Sequence, residues 1–459
     1  MSADVIIIGA GVAGLTAARA LSNSGLTVVI VEARDRAGGR IFTRHIPSFP
    51  TPIELGAEFI HGQPREIWDA VESAGLTVVE AADDHWQSLG GAFKESDFWP
   101  QWEAIVSAMR QAGAPDQAFR QFIEERYVAE ERQEVKRLAL DYVEGFNAAS
   151  ADRISVAALV AMEDAASAVD SGAVFRILNG YDRLVDWLLA GCEPQKVALR
   201  LGVVANEINW SRGDVEVIAH SSAGQAPLSF RAERAVITLP LGVLQAPPGA
   251  PGAVRFNPEL KEKQEAVGKL AMGVVMKLVL RFRERFWERS VSQTQPLGGR
   301  LPPLGGRLPP LGFLHSRDEY FPTWWTSLPV RAPILTAWAG GPAAERLALW
   351  GEEFVVGRAL DSLSRLLGLE RERLADLLVA WYTRDWQADP YARGAYSYIP
   401  VGGLDAPRLL AEPVEDTLFF AGEATDLDCQ NGTVHGAMAS GRRASGEIIR
   451  CVTPLHSFR

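Results

Sequence analysis

The stretch 5–32 restricts the fold of this chain more than any other part of it. Val5, Ile6, Ile7 and Ile8 form a continuous β-branched run, the pattern of a strand buried on both faces. Gly9-Ala10-Gly11-Val12-Ala13-Gly14 follows, and Val12, Leu15, Ala18 and Leu21 then recur at helical spacing until Gly25 stops the helix. Residues 26–31 read as a second buried strand that ends at Glu32. This order implies a parallel pair of strands joined by a right-handed crossover. Gly9 permits the tight turn, Gly11 lets backbone approach a pyrophosphate, and Gly14 lets the helix lie close to the sheet. The helix N-terminus, with Ala13 in its first turn, offers N–H groups to phosphates, and Glu32, with Ala33 beside it, can accept ribose hydroxyls. A structural turn without a ligand is the alternative. The flanking strand, helix and acid favour a dinucleotide.

The whole chain of 459 residues has room for two or three folding units, or for one interleaved fold. Apolar residues at 47% and charged residues at 22% suit a soluble globular protein. A net charge of −11 disfavours nucleic acid, because no basic excess exists to neutralise phosphates. The three cysteines, Cys192, Cys429 and Cys451, are far apart, with no metal-ligand spacing and no disulfide framework, so no metal and a reducing, cytoplasmic compartment are expected. The first residues carry no basic region or cleavage site, and no apolar run approaches the roughly 20 residues of a membrane span, so neither export nor a membrane partner is expected.

Residues 75–190 carry mostly helical patterns. Trp102, Ile105, Val106 and Met109 form one apolar stripe, and Val135, Leu138, Tyr142, Val143 and Phe146 another. The acidic run between them (Glu124, Glu125, Glu130, Glu131, Glu134) reads as a solvated helix face. From Leu199 the pattern turns to short strands. Residues 296–312 repeat Pro-Leu-Gly-Gly-Arg-Leu-Pro and read as an inserted loop with no catalytic role.

Glu32-Ala33-Arg34-Asp35-Arg36-Ala37-Gly38-Gly39-Arg40 resembles the second motif of glutathione-reductase-like FAD proteins, and in particular of the flavin-containing amine oxidases. That family includes monoamine oxidases, polyamine oxidases and the flavin histone demethylases. The resemblance implies FAD, with Gly39 and Arg40 along the pyrophosphate; Arg34 and Arg36 are equally well read as loop charges. It continues through residues 54–62, where Gly56, Ala57, Glu58 and Phe59 resemble the segment passing the flavin ring in polyamine oxidases. Thr238-Leu239-Pro240-Leu241-Gly242-Val243-Leu244 resembles a strand end of the family, and Val204 and Ala205 the place where backbone meets the adenine. Gly422-Glu423-Ala424-Thr425, then Thr433-Val434-His435-Gly436-Ala437, resembles its C-terminal FAD motif. There Glu423 would hold ribityl or ribose hydroxyls, and the helix opening at Thr433 and Val434 would face the flavin edge where negative charge develops.

Lys277, inside Val274-Val275-Met276-Lys277-Leu278-Val279, resembles the family lysine that holds a water near flavin N5. A charge within an apolar strand needs a partner; the alternative is an exposed lysine on an edge strand. Trp386 and the run Arg393-Gly394-Ala395-Tyr396-Ser397 resemble the segment beneath the flavin. Monoamine oxidases carry a flavin-linking cysteine where Ala395 stands, so non-covalent FAD is implied. They also have a two-tyrosine cage: Tyr396 matches one wall, or is plain core, and Thr433 takes the other position. Glu58 either binds the substrate ammonium or pairs with an arginine. His61 is a second polar candidate or a structural histidine, and Trp324 and Trp325 either line a pocket or pack in a core or lid.

The expected fold is α/β: a glutathione-reductase-like, FAD-binding Rossmann domain (1–75, 195–258 and 386–459) interleaved with an α+β substrate domain (76–194 and 259–385). The implied reaction passes hydride from the α-C–H of a primary or secondary amine, a polyamine being favoured, to flavin N5. O2 then reoxidises the flavin, giving imine or aldehyde and hydrogen peroxide. Competing readings are an L-amino-acid oxidase, a peptide lysine demethylase, a redox-silent FAD scaffold and an NAD-linked dehydrogenase. Oligomeric state is not legible.

Overall fold

A computed structural model of the protein describes residues 2–89, 92–96, 98–221, 224, 227–290 and 311–452. The N-terminal run forms β1 (Ser2–Ile8), α1 (Val12–Asn23) and β2 (Val28–Val31), with Val5 opposite Val28 and Ile8 opposite Val31 in a parallel pair. Strand Val197–Arg200 joins β2 and strand Leu228–Ile237 joins β1, both in parallel, and Leu418–Phe420 pairs with the far end of the latter. Antiparallel strands Asp214–Ser221 and Val203–Ser211, then Arg255–Asn257, complete an eight-stranded sheet.

Residues alternate between two cores across this sheet. Ile7, Ile30 and Val236 pack with α1 and helix Val434–Val452, whereas Ile6, Ile8, Val29 and Ile237 pack with Leu241, Val267 and Leu410 on the other face. Both faces are covered, which is why the strands are continuously apolar rather than alternating. A Cβ on Gly14 would stand 2.1 Å from the Gly9 carbonyl oxygen, and one on Gly441 would stand 2.3 Å from that of Ala13. Glycine thus lets α1 touch the turn on one side and the C-terminal helix on the other.

A second, seven-stranded sheet runs in the order 378–383, 275–282, 334–340, 323–326, 313–315, 85–89, 92–95. Its neighbours are antiparallel apart from 313–315 and 85–89. The two-residue period splits it cleanly. Met276, Leu278, Leu280, Leu314, Trp324 and Ala337 face an apolar core closed by helix Glu352–Leu367. The opposite face carries Lys277, Trp325 and Trp338. Strand Val275–Phe282 is paired on both sides, so Lys277 is not on an edge.

Helices Phe98–Ala112, Phe119–Arg126, Gln133–Phe146 and Val156–Ala168 form a layer around Trp102, Ile105, Phe119 and Val143. The stretch 75–190 is less uniformly helical than its patterns indicate: Val78–Glu80, His85–Leu89, Ala92–Glu95 and Val174–Ile177 are strands too short to show a period. The second stripe leaves the core only at its end: Val143 is buried with Val135, Leu138 and Tyr142 packed beside it, whereas Phe146 is 49% exposed. Most of the 296–312 repeat lies outside the described residues; at its end Leu311 accepts a hydrogen bond from Thr326 Oγ1.

Candidate active site

At the turn after β1, Gly9 adopts φ +108°, and a Cβ there would meet Thr238 Oγ1 at 2.5 Å. Thr238 donates that hydroxyl to the Ile8 carbonyl at 2.8 Å, so its place in the site is to lock the glycine turn to the neighbouring strand. Glu32 is buried, and its carboxylate accepts the N–H groups of Ala10 at 2.8 Å and Arg34 at 2.9 Å. Val204 and Ala205 are buried on strand Val203–Ser211, whose first residue bonds the Glu32 carbonyl.

Arg34 is no free loop charge: it pairs with Asp389 at 2.9 Å. Arg36 donates to the carbonyls of Ala37, Gly39 and Ile41 and so braces the Gly-Gly-Arg loop; burial pushes its guanidinium down to about 10. Arg40 bonds the Ala395 carbonyl at 2.8 Å and Glu423 at 3.0 Å. Glu423 also accepts from Ser397 and from the Gly432 N–H. The carboxylate expected to face sugar hydroxyls is therefore committed to protein donors, and it ties the C-terminal motif to residues 395–397.

The segment beside the expected flavin ring is stapled from three directions. Trp386 Nε1 donates to the Leu55 carbonyl at 2.9 Å, and Lys277 Nζ to that of Gly56 at 3.2 Å. Ala57 N–H reaches the Arg40 carbonyl at 3.3 Å, and a Cβ on Gly56 would collide with that same oxygen. Glu58 then meets Lys277 Nζ at 2.5 Å, Arg176 Nη1 at 2.8 Å and Trp325 Nε1 at 3.0 Å. Burial pushes the Glu58 carboxyl up, and Lys277 with Arg176 outweighs that, leaving it below the ordinary range. Of the two readings of Glu58, pairing with an arginine is the one present, with Lys277 added. Trp325 belongs to the same cluster, packed on Phe59, Phe313 and Trp338. Trp324 points the other way, into the core behind the sheet.

Tyr396 Oη donates to the Phe146 carbonyl at 2.6 Å, and burial raises its hydroxyl above the ordinary range. Gly432, at φ +78°, lies against its ring. Thr433 accepts the Gly436 N–H at 3.0 Å and so caps helix Val434–Val452, whose Ala437 packs toward α1. His61 is neutral at ordinary pH: burial lowers it to about 4, and it packs edge-on against Phe146.

Two residues of this cluster escaped sequence reasoning. Arg176 stands in the apolar strand Val174–Ile177, where the argument applied to Lys277 would have flagged it. Glu54 accepts from Thr43 Oγ1 at 2.7 Å and Tyr181 N–H at 2.8 Å, and burial raises its carboxyl to about 7. It borders, with Glu58 and Arg176, a cavity of about 60 Å³.

These residues fit an FAD cradle. Gly11 opens α1 with no side-chain cap, and the space a Cβ would take there is empty, as it is at Gly422 (φ +130°). Asn431 Oδ1, between Glu423 and the Thr433 cap, is buried without a protein partner. Among the described residues no cluster of side chains is arranged to hold a metal ion, and no helix is long and apolar enough to cross a membrane.

The chain is similar to known proteins along nearly its whole length. Residues 12–449 match the family described as flavin-containing amine oxidoreductase. Human lysine-specific histone demethylase 2 is 26% identical over 97% of this chain and 53% of its own length. The chain thus spans about half the length of that relative. Polyamine oxidase 3 of Oryza sativa subsp. japonica is 28% identical over 99% of this chain and 90% of its own length. The structure of wild-type putrescine oxidase bound to putrescine superposes with a TM-score of 0.78, at 20% identity over 98% of this chain and 99% of that one. Cyclohexylamine oxidase from Brevibacterium oxydans IH-35A gives 0.76, at 21% identity. With the motif segments brought together around Lys277 and Glu58, and matched from near one end of the chain to near the other, this protein belongs to the flavin-containing amine oxidoreductase family.

Proposed function

We propose that this chain is an oxidase of primary or secondary amines that uses non-covalently bound FAD. In this reading residues 1–75, 195–258 and 386–459 form a glutathione-reductase-like nucleotide domain, and 76–194 with 259–385 the substrate domain. The supporting observation is convergence. Lys277 reaches Gly56 across 221 positions, Ala395 N–H bonds Gly273 just before the lysine strand, and Tyr396 lies against Gly432.

FAD bound there supplies a hydride acceptor at N5 and, through reoxidation by O2, hydrogen peroxide. The chain's own groups set the conditions for it. Tyr396, anchored through its hydroxyl on Phe146, and the backbone at Gly432 confine the amine. Trp325, Phe59 and Trp338 exclude water, so that the amine reacts in its neutral form. Lys277 is held as a fixed cation at the Gly56 carbonyl by Glu58. Ala395 offers no thiol for a covalent link. The rice relative is named a polyamine oxidase, the class that the sequence motifs also favour; the rings leading to Glu58 decide whether the second ammonium of such a substrate is tolerated.

The test is an anaerobic titration of the purified yellow protein with an amine panel and L-amino acids as controls. Bleaching by an amine, with peroxide formed on admitting air, supports the reading. Bleaching by amino acids alone moves it to an amino-acid oxidase, and a protein unable to take up FAD overturns it.

A further inference from the structure

Seven side-chain rings close into a collar beside the Lys277–Glu58 pair. His85 stacks on Phe313 at 4.8 Å, Phe313 meets Phe59 at 5.9 Å, and Phe59 meets His61 at 6.1 Å. The circuit continues from His61 to Phe146 at 5.7 Å and to Tyr142 at 5.2 Å. Trp99 completes it, 5.5 Å from Tyr142 and 5.5 Å from His85. The rings come from separate elements: two strands of the seven-stranded sheet, the segment after Glu58, and two helices of the helical layer. Among the described residues, ring contacts within the collar run between neighbours, with none across it.

The collar has a wet side and a dry side. Trp99 is 40% and Phe146 49% exposed. Phe59 and Phe313 instead touch Trp325, which bonds Glu58, and the Phe146 carbonyl holds Tyr396. Resting on the amine-oxidase reading, we propose that the collar is the substrate entrance and tail-binding subsite, and that it selects amines with a single positive charge and an apolar alkyl or aryl substituent.

Charge decides the class. Glu58, at the inner end, is held by two cations and has no capacity for a second substrate ammonium. A distal ammonium lodged among the rings would gain the ring faces alone, which return less than the hydration it loses without a carboxylate, whereas an apolar tail gains from the same burial. The clustered carboxylates Asp83, Asp84 and Glu95 lie near His85, where they attract a cation to the mouth without following it inward. His61 is neutral through burial, so the collar adds no positive charge of its own at that point.

Pentylamine and putrescine differ mainly in a terminal methyl against a second ammonium, so they isolate this choice. With the flavin-loaded protein, kcat/KM is expected to rise about fourfold per methylene from propylamine to pentylamine. Putrescine should fall at least about tenfold below pentylamine. Phe146→Ala and Trp99→Ala should raise KM for 2-phenylethylamine about tenfold, more than they lower kcat, with Phe146→Leu intermediate. Putrescine matching or exceeding pentylamine, or collar variants with unchanged KM, would overturn the proposal. If no amine reduces the flavin, the amine-oxidase reading fails by itself. Calorimetric binding of pentylamine against putrescine then still decides the collar.

Discussion

Glu58 Oε2 lies 2.5 Å from Lys277 Nζ, while its other oxygen takes Arg176 at 2.8 Å. One carboxylate thus bridges two buried cations drawn from different strands. Removing one member of such a group leaves uncompensated charge, which costs more than the pair itself contributes. Glu58→Gln should therefore lower stability by about 3 kcal/mol in denaturant unfolding. The double variant Glu58→Gln/Lys277→Met should recover part of that loss, because the two sites are coupled. Additive losses would show that the contact does not hold the cluster together.

Lys277→Met should act on turnover rather than on cofactor retention. The ammonium touches the Gly56 carbonyl beside the expected flavin ring, where a fixed charge stabilises developing charge. Turnover with a good amine should drop by about a hundredfold, with the FAD-to-protein ratio unchanged by absorbance. A fully active variant would remove the lysine from the reaction.

Gly11 and Gly14 make opposite predictions from one motif. A Cβ on Gly11 meets nothing within 4 Å, and its φ of −72° is ordinary for any residue. Gly11→Ala should fold normally and lose FAD affinity, because the methyl occupies the path of the pyrophosphate. On Gly14 the Cβ would stand 2.1 Å from backbone, so Gly14→Ala should impair folding even without cofactor. Melting curves of the apo proteins, paired with FAD titration, separate the two.

Glu54 should make stability fall with rising pH. Its carboxyl titrates near 4.5 when unfolded and near 7 when folded, raised mainly by burial, while Thr43, the Tyr181 N–H and Lys277 act against the shift and Glu58 adds to it. Arg176 also faces it. Between those pH values the native state holds a proton that the unfolded chain has lost. Stability therefore declines across the window, by up to about 3 kcal/mol, and levels off above it. Glu54→Gln should remove that decline, as followed by denaturant midpoints from pH 4.5 to 8. An unchanged slope would place the titrating group elsewhere.

The parallel layer around β1, α1 and β2 was legible because its signals are local: a continuous apolar run, glycines where backbone must touch backbone, and an acid at the strand end. The same logic showed that Lys277 needs a partner, because an unpaired ammonium in an apolar strand is too costly to bury. Which partner it takes was not legible. Glu58 and Trp325 are separated by 267 positions, and only the pairing of strands around 277, 325 and 338 puts Lys277 and Trp325 on the one sheet face that Glu58 meets. The short strands near 78, 86, 94 and 175 have too few residues to show a period, so Arg176 and His85 stayed hidden with them. Local pattern determined the elements and the charges needing compensation. Long-range strand pairing decided which charges and rings meet, since side-chain direction on a strand follows from register and sequence alone does not specify it.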